Sequence, residues 1–397
     1  MTKKANTRKF RKLFLLFVVI FITSVVLVVE TYAWFVGITT VNVSEFEVTV
    51  TGAQGLELSL NGSKWAKGST SITLSSSNVL STAASNANQG YSGSGNVWPT
   101  TGLKPLSSAG IIDTTTGRLK LFEKSSLAST AGGYRLIANQ IDNYTSTEQD
   151  GYIAFDLFIR NGTDISWSST GENVYLKKSS TATYSGTNHG AANSVRVGFF
   201  KLAAIKSNGA SVANIQGLSC STTTSGNYIK YCPVDGAGRQ YHWNIWEPNY
   251  NVHLAAARTY FNTVCKQRNS STGDYTTTTC SGFSADNSVL QTRAIKQNIT
   301  ASENVDIYDG LNGYNENVTT AWATAKPLMN FTPYNVTSST TYSPSNQLIQ
   351  LAGNTITKVR VYIWLEGQDV DNYDVIAGDS LKINFGFTKD RYGIENT

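Results

Sequence analysis

The stretches Lys358-Val-Arg-Val-Tyr-Ile-Trp-Leu365 and Ser380-Leu-Lys-Ile-Asn-Phe-Gly-Phe387 decide the fold class. In the second, Leu381, Ile383, Phe385 and Phe387 recur at every other position. A period of two puts them all on one face of an extended chain, the mark of a half-buried β-strand. The same period runs through residues 151–160, where Ile153, Phe155, Leu157 and Ile159 share a face before Asn161-Gly162 turns the chain. It returns in residues 194–202, where Val195 and Val197 lead into Phe199, and in Leu56, Leu58 and Leu60 between glycine turns. Near the start, Val41 and Val43 hold one phase and Phe46, Val48 and Val50 the next, so a bulge is predicted at Ser44-Glu45.

Strands are therefore expected over 41–50, 56–60, 153–160, 195–202, 359–365 and 380–387, with a shorter one at Val174-Tyr-Leu. Thr, Val, Ile and aromatic residues favour this geometry, and long Glu/Lys/Leu/Ala helical patterns are nearly absent. One short helix is predicted over 252–262. The strands lie far apart in the chain, so they must pair non-locally. That predicts an all-β fold, a two-sheet jelly-roll-like sandwich with long loop insertions. Residues 62–110 are expected to form a surface excursion with one short strand. Residues 208–283 are expected to form an insertion decorating the sandwich, and the polar tail from Lys389 is expected to be loose.

The N-terminus has a different character. Lys3, Lys4, Arg8, Lys9, Arg11 and Lys12 lead into an apolar block, Leu13 to Val29, followed by Glu30-Thr31-Tyr32-Ala33-Trp34. Basic lead, apolar run and small residue are the order of a secretory signal, with cleavage expected between Ala33 and Trp34. As a helix the block spans about 25 Å, short for a bilayer core of about 30 Å. An uncut anchor holding a tethered ectodomain is the competing reading. A type IV pilin leader is rejected, since Lys12 and Phe17 stand where that signal needs a small residue and a Glu. In either accepted reading, residues after 33 lie outside the cell, as residues 34–50 followed by a sandwich over 51–397.

Residues 1–33 hold six of the 32 Lys and Arg and one of the 27 Asp and Glu. The rest carries 26 of each and is neutral, which gives no electrostatic case for nucleic acid and little repulsion between copies. Four cysteines, Cys220, Cys232, Cys265 and Cys280, allow three disulfide pairings. Local pairing, 220 with 232 and 265 with 280, is favoured because each pair brackets a polar turn. Their spacing is unlike a zinc site.

Catalytic constellations are missing from the sequence. His189, His242 and His253 form no H-E-x-x-H, there is no G-x-S-x-G, and no phosphate-binding loop appears. No enzyme activity and no cofactor are expected. Asp369, Asp371 and Asp374, in the turn 366–374, are the one set of oxygens suited to calcium, against the plainer reading of a solvated turn between edge strands. Trp65, Trp98, Trp167, Trp243 and Trp246 suit sugar stacking, although core or subunit contacts are favoured. The sequons at Asn61, Asn143, Asn161, Asn269, Asn298, Asn317 and Asn335 follow from a composition rich in Asn, Ser and Thr.

The run Thr31-Tyr-Ala-Trp-Phe35, a strand soon after it, and the terminal Leu381–Phe387 strand resemble the camelysin/TasA family of secreted Firmicute proteins. The phrases at 245–249 (IWEPN) and 363–371 (IWLEGQDVD) are similar to Firmicute surface proteins with the same TYAWF start. This chain departs from the family in its length, its four cysteines and its insertion, and no residues here support a protease. The resemblance implies a signal peptidase that cuts before an aromatic-containing N-terminal strand, a jelly roll, and assembly into biofilm-matrix fibres. In that scheme the strand from 34 to 50, with Val41, Val43, Phe46, Val48 and Val50, leaves its own domain and adds to the next subunit. The expected function is a secreted fibre subunit. The alternative is a membrane-anchored adhesin or glycan-binding sandwich, held through residues 13–29.

Overall fold

The computed structural model describes residues 46–52, 55–67, 70–85, 95–100, 102–113, 116–130, 133–141, 150–162, 171–232, 244–264, 266–268, 275–279, 293–294, 304–308, 326–327, 329–330, 334, 347–372 and 380–389. Two sheets packed together make the body. Their strands are β1 (Phe46–Thr51), β2 (Leu56–Ser59), β3 (Ala66–Lys67), β4 (Ser71–Leu74), β5 (Pro105–Leu106), β6 (Ile153–Asn161) and β7 (Glu172–Leu176). They continue as β8 (Thr181–Ser185), β9 (Val195–Lys206), β10 (Tyr228–Lys230), β11 (Ile245–Trp246), β12 (Ile349–Leu351), β13 (Thr355–Glu366) and β14 (Ser380–Lys389).

The six-stranded sheet runs β12-β7-β14-β1-β4, with β8 also on β14. The eight-stranded sheet runs β10-β9-β13-β6-β2-β3, with β11 on β9 and β5 on β13. Each strand expected from the two-residue period is present. Strands β9, β13 and β14 extend past the predicted ends because Ala203–Lys206, Thr355–Lys358 and Thr388–Lys389 pair as well. The predicted helix at 252–262 forms at Ala255–Val264. Residues 41–45, with the predicted bulge, lie outside the described residues.

Alternation builds the core. Val359, Val361, Ile363 and Leu365 of β13 share one cluster with Ile153, Phe155, Leu157 and Ile159 of β6 and with Val195, Val197 and Phe199 of β9. Val50, Leu74, Val174, Leu176, Leu381, Ile383, Phe385 and Phe387 enter it from the six-stranded sheet. Phe199 meets Phe385 and Phe387 edge-on, at 5.2 and 5.7 Å between ring centres. Edge-to-face pairs put the positive rim of one ring on the negative face of another.

The eight-stranded sheet is buried on its other face too, since β13 has no exposed or half-exposed position. Tyr362, Trp364, Phe200 and Tyr152 pack there against Leu106, Ile112, Leu119, Leu121 and Ile245. Ile356, Phe158 and Ile205 pack against Ile215 and Leu218. The expectation of a surface excursion over 62–110 is therefore corrected. Parts of it, with parts of 208–283, form a covering layer, because a sheet with two apolar faces must bury both. The Cys220–Cys232 disulfide is present and seats against Leu202 in this layer. Cys265 and Cys280 lie outside the described residues.

Phe199→Ala removes the ring that joins the two sheets. It is expected to lower unfolding stability by about 3–5 kcal/mol in urea melts, and a cost under about 1 kcal/mol would show that the inter-sheet packing is not as described.

Candidate functional site: the N-terminal strand and a buried ionic clasp

The predicted assembly segment enters the structure as β1. Its pairing with β14 is parallel, Phe46 with Leu381 through Thr51 with Gly386, and with β4 antiparallel, Val48 with Leu74 through Thr51 with Ser71. The first strand of the described chain thus lies between the last strand and β4, bonded along both edges. Val50 is fully buried in the core. Thr49 is half-buried. Gly55, just before β2, takes a left-handed φ of 78° that a side chain would strain. Ala33, Trp34, Val41, Val43 and the apolar block 13–29 lie outside the described residues. Among those described, no helix is long and apolar enough to cross a membrane.

The turn after β13 is a second concentration of chemistry, and it is not solvated. Glu366, Asp369 and Asp371 are buried. Arg196 of β9 pairs with Asp369 at 2.5 Å and with Glu247, just after β11, at 2.8 Å. His253 Nδ1 lies 2.6 Å from Asp371 Oδ2, and the Leu254 amide donates to Asp371 Oδ1 at 2.7 Å. Glu366 accepts from the Ser108 amide, the Trp364 indole and the Gln368 amide at 3.1–3.3 Å. These contacts tie the covering layer to the sheet, since Ser108, Glu247 and His253 all belong to it. Asp369 and Asp371 are engaged by Arg196 and His253, and Asp374 lies outside the described residues. Among the described residues, no group of three or more His, Cys, Asp and Glu could hold a metal.

A second ionic group sits on the same outer face. Arg360 donates to Asn96 at 2.8 Å and to Asp156 at 3.2 Å, and also reaches the Gly95 carbonyl. Lys358 donates to the Gln216 carbonyl at 2.6 Å. Burial, partly offset by Asp156, brings the Lys358 ammonium down to about 8. Neither ionic group was legible in the sequence. Arg196, Lys358 and Arg360 alternate with apolar residues and look like a solvated face.

The remaining expected residues scatter. Trp246 is buried in the core, which rules it out as a sugar platform. Trp65 is half-buried under the Arg160 guanidinium, 3.9 Å from the ring centre. Trp98 packs against the core edge. Trp167, Trp243 and His242 lie outside the described residues. Asn161 is fully buried, so the folded chain does not offer that sequon to a glycan.

Burial holds the Glu366 carboxyl up at about 7, against the pull of Arg196 and its hydrogen-bond donors. Burial raises Asp371 too, against its hydrogen bond from His253. An unfolded Glu ionises near about 4.3. The folded chain therefore keeps a proton that the unfolded chain has released, and stability falls as pH rises from about 4.3 to about 7. Glu366→Gln is expected to remove up to about 3 kcal/mol of this pH dependence between about pH 5 and pH 8, read from urea melts at each pH. Equal slopes in variant and wild type would contradict the assignment.

Comparison with known protein families, curated proteins and solved structures finds no match to this chain.

Proposed function

We propose that this chain is a secreted structural subunit of an extracellular fibre or matrix, joined to the next copy by exchange of β1. The observation that carries this reading is the position of β1. It is the first strand among the described residues, and it lies in a slot between β14 and β4, with six residue pairs on one side and four on the other. The same strand from another copy would make the same pairs in the same slot. Closed monomer and exchanged chain then differ in hinge strain and association entropy, not in contacts. Only four residues, 52–55, separate β1 from β2 in the chain, and short connections invite swapping. Each copy gives its strand forward and receives one behind. The contact is head-to-tail and does not close, so it grows a filament.

Three features support the reading. The Cys220–Cys232 disulfide suits an oxidising compartment. The chain after residue 33 is neutral, so copies do not repel. Successive strands cross between the sheets, as β1 to β2, β3 to β4 and β6 to β7 do, in keeping with a jelly-roll-like winding. Cleavage between Ala33 and Trp34 is the switch in this scheme. Before it, residues 13–29 hold the N-terminal end at the membrane, and afterwards the strand is free to exchange. No catalytic role is assigned.

Thr49 and Thr73 are registered partners on β1 and β4. Antiparallel partners lie about 4.5–5.5 Å apart at Cα, within disulfide range. A chain beginning at Trp34 with Thr49→Cys and Thr73→Cys, oxidised as a monomer, is expected to form no filaments until it is reduced. An oxidised monomer that assembles as fast as the reduced one would contradict exchange of β1.

A further inference from the structure

Lys389 is the last residue of β14, and it is buried rather than part of a loose tail. Its Nζ donates to Asn161 Oδ1 at 2.7 Å and meets Glu172 Oε2 at 2.9 Å. Asn161 ends β6 in the opposite sheet and is fully buried. Glu172 opens β7, with its side chain 14% exposed. An amine, a carboxamide and a carboxylate from three strands thus meet inside the sandwich.

The surroundings fix each group. Asn161 Nδ2 donates to the carbonyls of Ala352 at 3.2 Å and Leu351 at 3.5 Å, which leaves its carbonyl oxygen facing the amine. A Cβ on Gly55 would come within 3.2 Å of Lys389 Nζ, so the glycine leaves room for the amine. A Cβ on Gly171 would overlap the Leu351 carbonyl, so the backbone beside Glu172 closes tightly on the site. The amine and the carboxamide are buried and held in contact, a condition that makes an intramolecular reaction fast.

We propose that Lys389 and Asn161 join in an intramolecular isopeptide bond, with Glu172 carrying the protons. Glu172 takes a proton from the ammonium. Two charges become two neutral groups in a largely buried site, and a neutral amine is a nucleophile. Nζ attacks Asn161 Cγ, while the protonated Glu172 polarises the carbonyl oxygen. A tetrahedral intermediate forms and collapses with loss of the amide nitrogen. Two protons leave Nζ in all. One converts the departing NH2 to ammonia, and the other, relayed by Glu172, leaves with it as ammonium. The Nζ–Cγ bond replaces the Cγ–Nδ2 bond, charge balances, and no oxidant or further reactant is needed. The product ties the C-terminal strand of one sheet to β6 of the other. This inference does not depend on the fibre reading.

The test is the intact mass of the folded full chain, corrected for its N-terminus and disulfides, followed by proteolytic mapping. The expected mass is about 17 Da below that of the sequence, the loss of one ammonia. A branched peptide joining the segments around Lys389 and Asn161 is expected with it. A succinimide at Asn161-Gly162 loses the same ammonia, so a mass loss with no branched peptide overturns the proposal. A folded wild-type chain at full sequence mass overturns it too, whatever happens to any variant. Glu172→Gln is expected to restore the full mass while keeping the Cys220–Cys232 disulfide. A Glu172→Gln chain that still yields the branched peptide overturns the role given to Glu172.

Discussion

Strand β14 must be paired along both edges, and the rest of the structure follows from that constraint. Its first half bonds β8 and its last three residues bond β7 on one side. On the other side, Leu381 to Gly386 pair with β1 alone. The side chains of Leu381, Ile383, Phe385 and Phe387 fill the core, so the strand cannot turn its free edge to water without pulling them out. Buried backbone groups without partners cost about as much as lost hydrogen bonds. Something must therefore fill the slot beside β14, and residues 46–51 do so here.

The eight-stranded sheet meets a different constraint. It carries apolar side chains on both faces, so its outer face needs cover. The cover comes from stretches dense in Ser, Gly, Thr and Asn. These supply few apolar side chains of their own, Leu106, Ile112, Leu119, Leu121, Ile215, Leu218 and Ile245 among them. Charged side chains fix where the cover sits. Arg196 binds Glu247, Arg360 reaches Asn96, Lys358 reaches Gln216, and His253 meets Asp371. Such pairs add less net stability than their short distances suggest, because both partners give up water. Their value lies in geometry, since each accepts one partner in one place. That gives irregular segments a fixed seat which a smooth apolar contact would not.

The strands were legible in the sequence where one face is apolar and the other polar, as in Leu381–Phe387 and Ile153–Ile159. At β13 the strand was legible too, but the burial of its second face was not. Lys358, Arg360 and Glu366 look like a water-facing set, and a pattern of residue types does not separate a charge in water from one satisfied by an ion pair. The Asp369–Asp371 turn misled in the same way, because its partners Arg196 and His253 lie far away in the chain. The parallel register of β1 on β14 was also hidden, since a period of two gives the buried face of a strand and says nothing of its neighbour. Lys389, Asn161 and Glu172 stand at strand ends beside turn residues, where each alone looks ordinary, and only the packing of β6, β7 and β14 brings them together.

Whether β1 fills its own slot or a neighbour's is decided most directly in assembled material. One batch of chains would carry a spin label at Thr49 and another at Asn384, positions in register on β1 and β14. Filaments grown from an equal mixture are expected to show short separations between differently labelled chains, within label-arm reach of the strand spacing of about 4.8 Å. Filaments in which that short separation appears only when both labels sit on one chain would contradict exchange of the N-terminal strand.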